Sequence, residues 1–145
     1  MESATHRDIR KMTGLTNRKI QYLASEYGIE PEPGTGEGRG TVRRYTPEAQ
    51  FDFLLASKLS DFGMKPRSIR IILDKIHDMP VKLEPAKLQP GIEFLVVYER
   101  ESGRFIKLDT PIKSSKNISL ELKLIADFES CIVIDLGKLA SRMVF

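Results

Sequence analysis

Apolar residues recur three and four positions apart through the first half of the chain and at alternate positions after Gly91, which predicts helices first and strands later. A helix is expected at residues 6–12, opened by Thr5 as N-cap. Asp8 lies three residues on, where its carboxylate reaches back to the free amides. Ile9 and Met12 would face inward, and Gly14 would stop it. Thr16 caps a second helix at 17–26, with Ile20, Leu23, Ala24 and Tyr27 on one buried face and Gly28 at its C-terminal cap. Thr46-Pro47 opens a third, running to about Asp61, whose stripe of Phe51, Leu54, Leu55, Leu59 and Phe62 would pack inward before Gly63 ends it. Pro66 opens a fourth that buries Ile69, Ile72, Leu73 and Ile76. Pro80, Pro85 and Pro90 then prevent helical continuation.

Beyond Gly91 the period is two. Ile92, Phe94, Val96 and Tyr98 alternate with Glu93, Leu95, Val97 and Glu99, and Glu101-Ser102-Gly103-Arg104 reads as a hairpin turn into a strand at 105–108. The alternation of Ile118, Leu120, Leu122, Leu124 and Ala126 predicts another strand, and residues 131–136 a fourth before a short terminal helix at 137–143. Cys131 falls inside an apolar run and reads as a core residue. The expected fold class is α+β: a mostly helical part at 1–79, a proline-rich linker at 80–91, and a small antiparallel β unit with a short terminal helix at 92–145. That last unit would serve dimerisation or effector binding.

Composition narrows the function classes. At 145 residues with 41% apolar side chains, the chain can bury a core. Its apolar runs are too short to cross a bilayer, its first residues lack the apolar stretch of a secretory signal, and its single cysteine points to a reducing cytoplasmic setting. No catalytic set stands out. His6 and His77 have no carboxylate or cysteine at ligand spacing, so neither an enzyme nor a metal or cofactor is expected.

A net charge of +3 is a weak field for nucleic acid, and its distribution says more. Between residues 5 and 22, Arg7, Arg10, Lys11, Arg18 and Lys19 stand against Asp8 alone, and residues 39–45 hold Arg39, Arg43 and Arg44 without an acid. Arg18 and Lys19 occupy the first turn of a helix, where the dipole disfavours cations by roughly 0.3–1 kcal/mol each. An external phosphate would relieve that mismatch. A helix after a short turn, followed by a tight basic hairpin at 39–45, outlines one element for a DNA groove and a wing along the phosphates. The glycines between residues 34 and 40 read as a wing tip. No Gly-Lys-Ser/Thr ending follows them, and their spacing does not give a dinucleotide fingerprint.

The run Thr13-Gly14-Leu15-Thr16-Asn17-Arg18-Lys19-Ile20-Gln21-Tyr22, then Tyr27-Gly28-Ile29-Glu30-Pro31, Gly40-Thr41-Val42-Arg43-Arg44-Tyr45-Thr46, and Leu59-Ser60-Asp61-Phe62-Gly63-Met64 with Ile69, resembles the DNA-binding domain of the MerR family of transcription regulators. The resemblance covers about residues 5–79. It implies a winged helix-turn-helix whose Thr16, Asn17, Arg18, Lys19, Gln21 and Tyr22 face the major groove and neighbouring phosphates, while Arg39, Thr41, Arg43, Arg44 and Tyr45 hold the backbone beside it. The implied partners are double-stranded DNA carrying an inverted-repeat operator, a second copy of the chain as homodimer, and RNA polymerase at the promoters such regulators distort. The implied setting is the cytoplasm, at the nucleoid. Three features depart from the family. Gln21-Tyr22-Leu23 stands where Arg-Tyr-Tyr is common, the insert at 29–38 is long, and three prolines and a sheet-like unit replace the long antiparallel helix through which members dimerise. An exposed edge at 118–126 is therefore expected to pair with its copy. Two other readings remain open: a DNA-bending architectural or excision factor of mobile DNA, and a protein interaction module with a basic face.

Overall fold

The computed structural model describes residues 2–36, 38, 40–109 and 130–143. Among them run β1 (Ala4–Thr5), α1 (His6–Thr13), α2 (Asn17–Tyr27), β2 (Arg44–Tyr45), α3 (Pro47–Asp61) and α4 (Pro66–His77). A 3-10 turn at Pro85–Lys87 leads to β3 (Glu93–Glu99), β4 (Arg104–Asp109), β5 (Ile132–Asp135) and α5 (Leu136–Ala140). The fold is a helical helix-turn-helix region followed by a small antiparallel sheet and a short helix, as the α+β reading expected.

Local chemistry sets the helix ends. The Thr5 backbone N–H donates to the Asp8 carboxylate at 2.9 Å and the Asp8 N–H to the Thr5 hydroxyl at 3.4 Å, the reciprocal cap anticipated for α1. Gly14 and Gly28, at φ 72° and 64°, close α1 and α2 in the left-handed region that other residues enter at a cost.

The wing and α3 differ from expectation. Arg44–Tyr45 does not belong to a self-contained hairpin, because β2 pairs antiparallel with β1, with Ala4 opposite Tyr45 and Thr5 opposite Arg44. Pro31 and Pro33 cannot donate to a ladder, so the preceding segment is a poor strand partner. It is tied to the wing by single hydrogen bonds instead: the Glu32 N–H donates to the Arg44 carbonyl at 2.7 Å, and the Arg44 N–H to the Thr35 hydroxyl at 3.1 Å. As for α3, it has no single buried stripe. Every residue from Ala49 to Ala56 is buried, since α1, α2, α4 and α5 all pack on this helix. Phe62, expected on that stripe, sits at the C-terminal cap and is 40% exposed.

The sheet order is β4-β3-β5, antiparallel throughout. Leu95 and Val97 of the central strand join Ile132 and Ile134 in one apolar cluster with the helices, and Leu136, Leu139 and Ala140 of α5 complete it. Cys131 corrects its reading as a core residue. It is exposed just ahead of β5, and alternation puts it on the outward side with Val133. The strand expected at 118–126 lies outside the described residues. The stretch expected as a linker is tied down at two points: Pro85 is buried, and the Gly91 N–H donates to the Asp135 carboxylate at 2.8 Å. No helix among the described residues is long and apolar enough to cross a membrane.

Candidate nucleic-acid interface

One side of α2 is fixed by burial and the other is open. Ile20, Leu23 and Tyr27 point into the core, leaving Asn17, Arg18, Lys19, Gln21 and Tyr22 exposed. Asn17 and Gln21, like Arg18 and Tyr22, are four residues apart and stack on one outward face. Thr16 is committed to the helix, its hydroxyl accepting from the Lys19 N–H at 3.2 Å. The first turn carries two cations and no acid, so the positive end of the dipole is reinforced rather than offset. The Lys19 ammonium lies 4.9 Å from the Tyr22 ring centroid, a contact that orients both side chains.

On the wing, Thr41, Arg43 and Arg44 are exposed, whereas Arg39 lies outside the described residues. The stem of Arg43 packs so closely on Gly36 that a Cβ there would overlap it. Tyr45, expected among the residues that hold the DNA backbone, is fully buried, at 0% exposure. Its hydroxyl meets His6 Nε2 at 3.0 Å, the two rings stack with centroids 5.6 Å apart, and Phe53 meets it edge-on at 5.1 Å. Burial pushes the Tyr45 phenol above its ordinary value. Burial, and secondarily the Arg43 charge, holds His6 below its own. Tyr45 thus supports the wing from beneath. The Gln50 amide, donating to the Tyr45 carbonyl at 3.2 Å and the Glu2 carbonyl at 2.8 Å, fastens the same corner. Neither His6 nor Gln50 was singled out for this role from sequence, because their partners lie across the fold and no spacing pattern marks them.

Arg7, Arg10 and Lys11 add a third basic surface. With Gly14 and Leu15 they line a shallow depression at the turn between α1 and α2. Charge counting flagged these cations without assigning them a place. Helix α1 packs on α2 and runs directly out of β1, which pairs with the wing strand, so the three cationic surfaces are mechanically joined.

No group of three His, Cys, Asp or Glu side chains able to hold a metal gathers among the described residues. The fold does give His77 a carboxylate that sequence spacing had denied it, for Asp52 Oδ2 lies 2.9 Å from His77 Nε2.

Two helices across a glycine turn, a cation-tipped second helix and a β-wing braced on the N-terminus define a winged helix-turn-helix protein. The family model for the MerR HTH family regulatory protein matches residues 4–76, half of the chain, and the chain belongs to that family. Its helix-turn-helix region is that of a DNA-binding transcription regulator, in a family normally without enzymatic activity. No curated protein matches the chain.

Proposed function

We propose that this protein recognises a specific double-stranded DNA sequence as a homodimer on an inverted repeat, acting in the cytoplasm. Residues 1–79 would carry DNA binding, and residues 92–145 self-association or effector binding. Asn17 and Gln21 read base edges in the major groove, while Arg18, Lys19 and Tyr22 meet bases and flanking phosphates. Thr41, Arg43 and Arg44 run along the adjacent backbone, and Arg39 is assigned to the same strand contact by its place in the wing. Tyr45 positions these residues from below. The observation that carries the reading is the open face of α2, where amides and cations stand exposed at helical spacing around an unneutralised N-terminus.

Selection of bound sites from a random duplex pool, followed by salt titration, tests it. Arg43→Ala and Arg44→Ala are expected to weaken binding to every sequence and to reduce the salt slope by about one each. Asn17→Ala and Gln21→Ala are expected to relax preference at one base pair and to cost about 1–3 kcal/mol there. Equal losses on selected and random DNA across both pairs would defeat the division of labour. Light scattering on the full chain should return two copies, and a monomer on a selected inverted repeat would remove the dimer from the proposal.

A further inference from the structure

On elements that take no part in the proposed DNA contacts, β5 and α5 meet the last turn of α3 around a recess of about 230 Å3. Its floor is apolar: Ile134 and Leu139 are buried, and Val133 stands beside them 55% exposed. A dry cavity of ~150 Å3 accepts a benzene ring, so this recess has room for a ring and a short arm.

The charges around that floor are one-sided. Lys58 of α3, Lys138 of α5 and Arg142 just beyond α5 all line the recess, against the single acid Asp135. That carboxylate is already engaged with the backbone. One oxygen accepts from the Gly91 N–H at 2.8 Å and the other from the Lys138 N–H at 3.0 Å. Asp61, three residues beyond Lys58, is not part of the lining. Among the described residues none of the three cations is ion-paired, and the Lys58 ammonium lies 5.8 Å from the Phe62 ring centroid. Folding thus gathers like charges from positions 58, 138 and 142, an arrangement that costs Coulomb energy unless an anion answers it. A few convergent charged groups over an apolar floor are the usual form of a small-molecule site.

We infer that this recess binds a small organic anion, a carboxylate on an apolar body, with its charge on Lys58, Lys138 and Arg142 and its body on Val133 and Leu139. The inference deepens the effector-binding role proposed for residues 92–145 and is independent of the DNA contacts, so either can fail alone. 3-Phenylpropanoate, 2-phenylethanol and phenethylamine share an apolar body and differ in charge, and inorganic phosphate supplies charge without the body. Titrated into the full chain and followed by methyl NMR, 3-phenylpropanoate should move the signals of Val133 and Leu139. It should bind roughly tenfold more tightly than the alcohol, the worth of one hydrogen bond to a charged group, and the amine should bind no better than the alcohol. Lys138→Gln and Arg142→Gln, both at exposed positions, should each weaken the carboxylate several-fold without affecting the alcohol. The inference is overturned if the alcohol or the amine binds as well as the carboxylate, or if the carboxylate leaves those methyls unmoved. Phosphate binding as tightly as the carboxylate would also overturn it, by showing that the apolar floor contributes nothing. So would variants that lose affinity for duplex DNA and not for the carboxylate, which would assign these cations to the DNA surface instead.

Discussion

His77 gains a carboxylate partner on folding, and its hydrogen bond to Asp52 raises its pKa above the ordinary 6.5 despite partial burial. The folded state therefore holds this proton more firmly than the unfolded state does. The resulting stability is full below 6.5 and is lost as pH rises through the elevated value. Asp52 is also raised, because its burial outweighs the imidazole beside it. His6 has the opposite sign: held below 6.5 by burial and then by Arg43, it contributes stability that is present above 6.5 and lost as pH falls through the depressed value. Melting curves from about pH 5 to pH 8 separate the two. His77→Gln should flatten the alkaline decline and His6→Phe the acid one. A variant whose melting temperature runs parallel to wild type over its own window would show that its imidazole is not linked to folding. At this scale the caps Thr5, Thr16 and Thr46 were legible in the sequence, because a cap and its target lie three residues apart. The pairs His77 with Asp52 and His6 with Tyr45 were not, since 25 and 39 residues separate them.

Two glycines test how the elements are joined. Gly137 lies in the first turn of α5, where alanine would ordinarily favour the helix by about 0.5–1 kcal/mol. A Cβ there would overlap the Gln89 carbonyl and the Pro90 nitrogen, backbone atoms with little freedom to yield, so the contact outweighs the propensity. Gly137→Ala is expected to destabilise the protein by about 1–3 kcal/mol in urea unfolding. A stabilised variant would mean that the segment before β3 is not held against α5. Gly103 combines φ 67° with a Cβ position 2.9 Å from the Ser68 carbonyl, where the β3–β4 turn lies against α4. Ser68 reinforces that contact by donating its hydroxyl hydrogen to the Glu101 carbonyl at 2.7 Å. Gly103→Ala should therefore cost at least as much as Gly137→Ala. Element types and most boundaries were readable from periodicity. The strand that β2 pairs with was not, because β1 is two residues long and carries no alternation of its own.

At the scale of the whole molecule, local composition was least informative about residues 80–91. Three prolines and scattered charges suggest a linker, yet this stretch lies between α3 and α5 and helps close a single apolar cluster. Truncation after Met79 is the decisive perturbation. The shortened chain no longer has to order residues 80–143, so what matters is the surface left bare. That surface includes the face of α3 covered by α5 and the side of α4 near Ile71 and Ile72, where the β3–β4 turn rests. Exposing even two large apolar side chains forfeits about 3–6 kcal/mol. A 79-residue domain has only roughly 4–12 kcal/mol in total, at 0.05–0.15 kcal/mol per residue. The truncated chain is accordingly expected to melt well below the full chain, with a broadened transition in calorimetry. It should bind DNA weakly at temperatures where the full chain binds well. A sharp transition at the full chain's midpoint would mean that the helical part folds alone and that the sheet and α5 are carried for another purpose.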